Sequence, residues 1–204
     1  MRMSSTSASP SRREPKQARA CLRRARFLEV AARLFGELGY DAVTMTAIAE
    51  HAQASIGTLY DYFPDKQDLA LALKTKYMEE SDGYWATLLD GQSSLTKTAL
   101  ADLFIEGALV LGKEKPGFLA LMTAPIAYAR SGEARQPLRR AIAGALQRIN
   151  PKLPSDRALI SAHIVAEMIK GLLSAYQHAL PKERGEIVKE FKKLMRLYLI
   201  EALR

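Results

Sequence analysis

The residues best suited to chemistry are gathered in SIGTLYDYF, Ser55 to Phe63, where four hydroxyl side chains, a glycine and a carboxylate share nine positions. On a helical wheel at about 100° per residue, Leu59, Phe63, Ile56 and, at the edge, Tyr60 fall in one arc and face a core. Ser55, Gly57, Thr58, Asp61 and Tyr62 face away. A helix side turned only to water would carry Lys, Glu, Gln and Arg, and this one carries none of them. A slim, hydroxylated face with open backbone N–H groups at its start suits entry into the major groove of double-stranded DNA, with hydroxyls for phosphates and base edges. Gly57 costs a helix on the order of 1 kcal/mol against alanine, and close approach to a partner accounts for that cost. Close packing of another helix of the same chain is the alternative. Asp61 either accepts a hydrogen bond from cytosine N4 or pairs with a neighbouring basic side chain.

Catalytic chemistry has less to stand on. His163 and Glu167 are spaced i, i+4 and can share a helix face, but two ligands fall short of a metal site. His51 and His178 have no evident partners, and no phosphate-cradling glycine loop, nucleophile elbow or zinc motif is present. No enzyme activity, cofactor or metal is expected.

The elements that must position SIGTLYDYF are helices, because apolar residues recur at helical spacing along nearly the whole chain. Phe27, Val30, Ala31, Leu34, Phe35 and Leu38 form the stripe of a first helix near 22 to 38, ended by Gly39. Thr44 or Thr46 caps a second helix reaching about Ala52, Ser55 a third that Pro64 closes, and Asp65 a fourth with Leu69, Leu73, Tyr77 and Met78 inward. Two short helices across a tight turn make a helix-turn-helix. Longer helices are expected near 93 to 113, 116 to 130, 134 to 149, 155 to 180 and 182 to 203. The chain therefore reads as all-α: a basic, disordered arm at 1–21, a three-helix DNA-binding unit at 22–68, and a larger helical unit at 69–204 entered through a linking helix.

Of the formal net charge of +8, all but one unit lies in the first 26 residues, where eight basic side chains face Glu14 alone. Such an arm suits a nucleic-acid partner, and a mitochondrial transit peptide is its rival reading. Arg23, Arg24 and Arg26 stand where the first helix starts, within reach of a DNA backbone or minor groove. The single cysteine, Cys21, excludes an intrachain disulfide and fits a cytoplasmic setting. No run of 18 continuous apolar residues occurs, so no membrane span is expected.

Arg24 to Leu73 resembles the DNA-binding domain of the TetR family of bacterial transcriptional regulators: Ala31 and Phe35 in an opening helix, then Gly39-Tyr40, Thr44, Ile48-Ala49, Ser55, Gly57-Thr58-Leu59-Tyr60, Phe63, Lys66 and Leu69. The resemblance implies phosphate contacts from Thr44, Tyr60 and Lys66, and base reading by Ser55 to Tyr62, with Thr46 beside them. In the turn, where the family commonly has glycine and valine, this chain has Gln53 and Ala54. Gln53 is expected to need a different turn geometry or to add its own DNA contact.

For the larger unit the resemblance implies an effector pocket, which Tyr84, Trp85, Leu88, Phe104, Phe118, Met122, Ile126, Tyr128 and Met168 are expected to line around a largely apolar small molecule. Ile160, Ile164, Met168, Leu172 and Ala175 run down one late helix, and Phe191, Leu194 and Tyr198 down the last. Paired with their symmetry mates, these faces make a four-helix homodimer interface. The expectation is a repressor that releases a palindromic operator when an effector binds. A regulator that no small molecule controls, and a helical ligand-binding protein or metal-dependent enzyme, are the alternatives.

Overall fold

Four side-chain oxygens decide where helices begin. Thr44, Ser55 and Thr96 accept the amides of Ala47, Thr58 and Ala99 at 3.1 Å, and Asp65 accepts that of Asp68 at 2.8 Å. The computed structural model describes residues 14–90, 95–126 and 136–204. Among them the order is α1 (Glu14–Leu38), α2 (Met45–His51), α3 (Ile56–Tyr62), α4 (Lys66–Asp90), α5 (Lys97–Glu114), α6 (Phe118–Thr123), α7 (Gln136–Ile149), α8 (Ser155–His178) and α9 (Arg184–Ala202), with no strand.

Two expectations about extent are corrected. Helix α1 starts at Glu14, so residues 14–21 of the arm are helical rather than disordered. Ala, Arg, Gln and Lys are strong helix formers, and Pro15 is tolerated in a first turn. The rest of the arm lies outside the described residues. Helix α6 spans only 6 residues, because Pro125 forces Ala124 into an extended conformation at φ −63°, ψ 144°.

Helix α1 buries Phe27, Ala31, Leu34 and Phe35 against Ile48 of α2, Leu59 of α3 and Leu69 of α4. Helix α4 then continues for 25 residues into the larger half, so the expected boundary at residue 69 falls inside a helix that both units share. There its Trp85 packs 6.1 Å from Phe104 of α5. Helices α7, α8 and α9 complete that core with Leu146, Leu172 and Leu199, all fully buried.

Helix α8 is, among the described residues, long and apolar enough to cross a membrane by length and composition. Its apolar side chains instead divide between the core, through Val165, Ile169 and Leu173, and an open face bearing Ile160 and Ile164.

The two units also meet away from α4. The Pro116-Gly117 turn before α6 lies against α1. A Cβ on Gly117 would stand 2.5 Å from the Ala32 carbonyl oxygen, and one on Gly36 would stand 2.9 Å from the Gly117 amide nitrogen. Gly117 also has φ +71°, the left-handed region. Tyr77 of α4 donates its hydroxyl to the Pro116 carbonyl at 2.6 Å. Burial, then the Glu80 carboxylate, push its pKa up to about 12, which keeps the phenol a donor.

Candidate nucleic-acid interface and effector cavity

Helix α3 is anchored at one end and open at the other. Leu59 and the following Phe63 are buried, worth roughly 1.5–3 kcal/mol each, while Ser55, Gly57 and Asp61 are exposed. The wheel placed Ile56 and Tyr60 with the core and Tyr62 outside. The structure reverses this: Ile56 is exposed, Tyr60 is 49% exposed, and Tyr62 packs edge-on against Phe27 at 5.6 Å. Tyr62 is drawn inward against Phe27 of α1, with Leu59 and Phe63 buried beside it, while Ile56 and Tyr60 project.

Ser55 Oγ and Thr58 Oγ1 are 2.8 Å apart and preorganise the start of the helix. As an acceptor from Ala47, Thr44 keeps its own O–H available for a phosphate oxygen. Thr46, two residues further on, is exposed. A Cβ on Gly57 would meet only Ser55 Oγ at 4.0 Å, so none of the described helices packs there. Asp61 has no ion pair with any described residue.

The turn before α3 keeps the geometry that glycine would adopt. Gln53 has φ +55°, Ala54 N–H donates to the Ala49 carbonyl and Gln53 N–H to the Glu50 carbonyl, both at 3.0 Å. That is a Schellman closure with glutamine in the glycine position, and the expectation of a different turn is overturned. The Gln53 side chain is exposed.

Lys66 is not poised for phosphate. Its ammonium donates to the carbonyls of Tyr40, Asp41 and Val43 at 3.0, 3.2 and 2.9 Å and lies 4.5 Å from the Tyr40 ring centroid. Three donors meet three acceptors, so the lysine staples the α1–α2 loop from the first turn of α4. Among the basic residues of α1, Arg23 is exposed, Arg24 stacks 5.1 Å over the Phe63 ring, and Arg26 pairs with Glu29 at 3.2 Å.

The larger half holds a cavity of about 310 Å³ among α4, α5, α6, α7 and α8. Trp85, Phe118, Met122 and Ile126 line it as expected. Phe104 does not, being buried behind Trp85. Tyr84 packs edge-on against Trp85 at 5.4 Å, and neither it, Leu88 nor Met168 reaches the wall. Tyr128 lies outside the described residues. Sequence reasoning missed the polar lining: Lys74, Ser81, Arg139, His163, Glu167 and Lys170. A signal existed, since Ala70, Lys74, Tyr77, Ser81 and Trp85 step by three and four along one seam of α4. Among the described residues no group of three or more His, Cys, Asp or Glu is placed to hold a metal ion.

With head and cavity placed, likeness to known proteins becomes informative. The family model for bacterial regulatory proteins of the tetR family matches residues 27–73. That for the C-terminal domain of tetracyclin repressor-like proteins matches residues 98–199, half of the chain. The chain belongs to the TetR family. HTH-type transcriptional repressor KstR of Rhodococcus jostii (strain RHA1) is 42% identical over 60 residues, 29% of this chain and 28% of KstR, so the match spans less than a third of that relative. A TetR-family transcriptional regulator from Streptomyces coelicolor is similar in structure with a TM-score of 0.66 at 24% identity, covering 88% of this chain and 99% of its own. FadR from Bacillus subtilis, solved in complex with stearoyl-CoA, has a TM-score of 0.58 at 16% identity, covering 86% and 97%. At these identities the structural likeness shows the TetR fold.

On this TetR-family chain the candidate dimer face is partly redrawn. Ile160 and Ile164 of α8 and Leu194 of α9 are exposed, whereas Met168, Ala175, Phe191 and Tyr198 are half-buried. Leu172 is 0% exposed and belongs to the core of the single chain, because it faces inward with Val165 and Ile169. Leu197 and Ile200, exposed on α9, extend the open apolar face and were missed.

Proposed function

We propose that the protein is a cytoplasmic one-component repressor, not an enzyme, which binds a palindromic operator as a homodimer and releases it when a small molecule fills the cavity. The carrying observation is that α4 belongs to both sites: its first turn staples the head through Lys66, and Lys74, Met78, Ser81 and Trp85 of the same helix line the cavity. A ligand acts only by preferring one spacing of the two heads, since equal affinity for both would shift nothing. Ser55, Gly57, Thr58, Tyr60 and Asp61 enter the major groove, Thr44 and Tyr60 take phosphates, and Arg23 adds backbone charge. Half-sites then lie about 34 Å apart or a multiple of it. Ile160, Ile164, Leu194, Leu197 and Ile200 pair with their symmetry mates, because so large an exposed apolar face seeks a partner.

Fluorescence anisotropy with palindromic DNA from upstream of the coding region tests the central claim. Binding that weakens steeply with salt and saturates at two chains per site is expected. Retention of random and palindromic duplexes with equal affinity at every salt concentration sinks it. In sedimentation velocity, Ile164→Asp combined with Leu197→Asp is expected to convert dimer to monomer. A double variant that stays dimeric assigns the interface elsewhere.

A further inference from the structure

The head reaches the larger half by two routes, and the second turns a hinge into a brace. The first is α4, a continuous helix that as a lone rod would leave the head free to tilt and to turn about the helix axis. The second is the Lys115-Pro116-Gly117 turn, which is held from both sides. On the α4 side, buried Tyr77 donates its hydroxyl to the Pro116 carbonyl at 2.6 Å, and its ring lies 5.9 Å from that of Phe118. Three positions further along α4, Glu80 accepts from the Lys115 ammonium. On the α1 side there is room only for hydrogen. A Cβ on Gly36 would stand 2.9 Å from the Gly117 amide nitrogen, and one on Gly117 would stand 2.5 Å from the Ala32 carbonyl oxygen and 3.2 Å from Phe35 Cβ. Helix α4, the turn and α1 thus close a triangle. Because packed helix axes stand about 8–10 Å apart, the contact on α1 lies off the α4 axis and resists turning as well as tilting.

We propose that Tyr77, Gly36 and Gly117 set the half-site spacing that the protein accepts, which makes them determinants of operator choice lying outside the face that enters the groove. This rests on the operator-binding reading above and adds what fixes its geometry. One base pair added between half-sites moves them apart by about 3.4 Å and rotates one against the other by about 34°. Shared between two heads, that is about 1.7 Å and about 17° each. Lys66, in the head, lies roughly 16 Å along α4 from Tyr77, so a tilt of only about 6° at the joint carries a head through that distance. Telling one spacing from the next therefore needs the head held within a few degrees, which the off-axis backbone contact supplies and α4 alone does not. The Lys115–Glu80 pair is partly exposed and adds little, so the Tyr77 phenol and the two missing Cβ atoms carry the constraint.

Fluorescence anisotropy of the full chain against three duplexes tests this: the palindrome from upstream of the coding region, the same palindrome with one base pair inserted at its centre, and a single half-site. The unaltered protein is expected to bind the inserted duplex about a hundred-fold more weakly than the palindrome, the low end of what losing simultaneous engagement by two linked heads costs. Tyr77→Phe removes the hydroxyl donor, and Gly36→Ala pushes the turn off α1. Each is expected to shrink that penalty by at least about three-fold while half-site affinity stays within about two-fold. Two variants guard against one that fails to fold. Phe104→Leu, a core change away from the turn, is expected to lower the melting temperature and leave the penalty as it is, which tells lost stability apart from a loosened joint. An unchanged penalty in both joint variants overturns the inference, as does an equal reduction in Phe104→Leu or an unaltered protein that binds both palindromes alike. Failure of the palindrome to bind better than random duplex defeats the operator reading and this inference with it. Tight palindrome binding with an unmoved penalty defeats the inference alone.

Discussion

The reading head packs a small core around Phe27, Phe35, Ile48 and Leu59 and leaves a bare polar face outside, whereas the larger half encloses about 310 Å³ of space and keeps Lys74 beside it. In the head, the exposed groups are preorganised: hydroxyls cap helices, Lys66 is spent on carbonyls, and Gly57 stands in the open. In the larger half, the Nε of Arg139, a residue of the cavity wall, is buried without a hydrogen-bond partner among the described residues. The head is thus built to present one fixed surface, and the cavity to change energy when filled. Glycine shows the same division, since among the described residues Gly57 borders only Ser55 Oγ while Gly117 is pressed against α1.

Four substitutions can break or sharpen this contrast, and urea unfolding reads them all. Gly117→Ala forces a Cβ toward the Ala32 carbonyl at a left-handed φ of +71°, and a loss of about 3 kcal/mol is expected. A loss under about 1 kcal/mol would show that the joint has slack. Lys66→Met leaves three loop carbonyls without their cation and is expected to cost about 2 kcal/mol while the salt slope of operator binding stays the same. A slope smaller by about one unit would return Lys66 to the phosphates. Gly57→Ala is expected to stabilise the free protein by up to about 1 kcal/mol and yet weaken operator binding. Stabilisation with full operator affinity would mean that the face never approaches DNA closely. Gln53→Gly relieves a left-handed residue and is expected to add somewhat under about 1 kcal/mol, part of it cancelled by the freer unfolded chain. A destabilised variant would instead give the glutamine side chain a structural role.

The head was largely legible because local rules govern it. Thr44, Ser55 and Asp65 are cap residues in cap positions, and the starts of the three helices they open follow from chemistry within a few residues. What failed there was long-range: a wheel cannot say that α3 leans on α1 by one end, so Ile56, Tyr60 and Tyr62 changed places. Lys66 was misread for the same reason, since its three acceptors lie 23 to 26 positions away. In the larger half α8 and α9 carry apolar side chains both in the core and on the open surface, so periodicity alone could not divide the two. Leu172 went to the core, Phe104 sat behind the pocket, and the cationic wall appeared only once five helices were set around one space.

The contact between Gly36 and the Pro116-Gly117 turn has a mechanical consequence. Where side chains separate two helices, a small shift of one is absorbed by rotamers on the other, as play in a loose bearing absorbs the first turn of a shaft. Here backbone lies on backbone, the Ala32 carbonyl beside Gly117 and the Gly117 amide beside Gly36. Phe118, the next residue, lines the cavity. A displacement of α6 of a few tenths of an ångström therefore has nowhere to dissipate before it reaches α1, and the stroke available to an effector is set by the stiffness of the main chain.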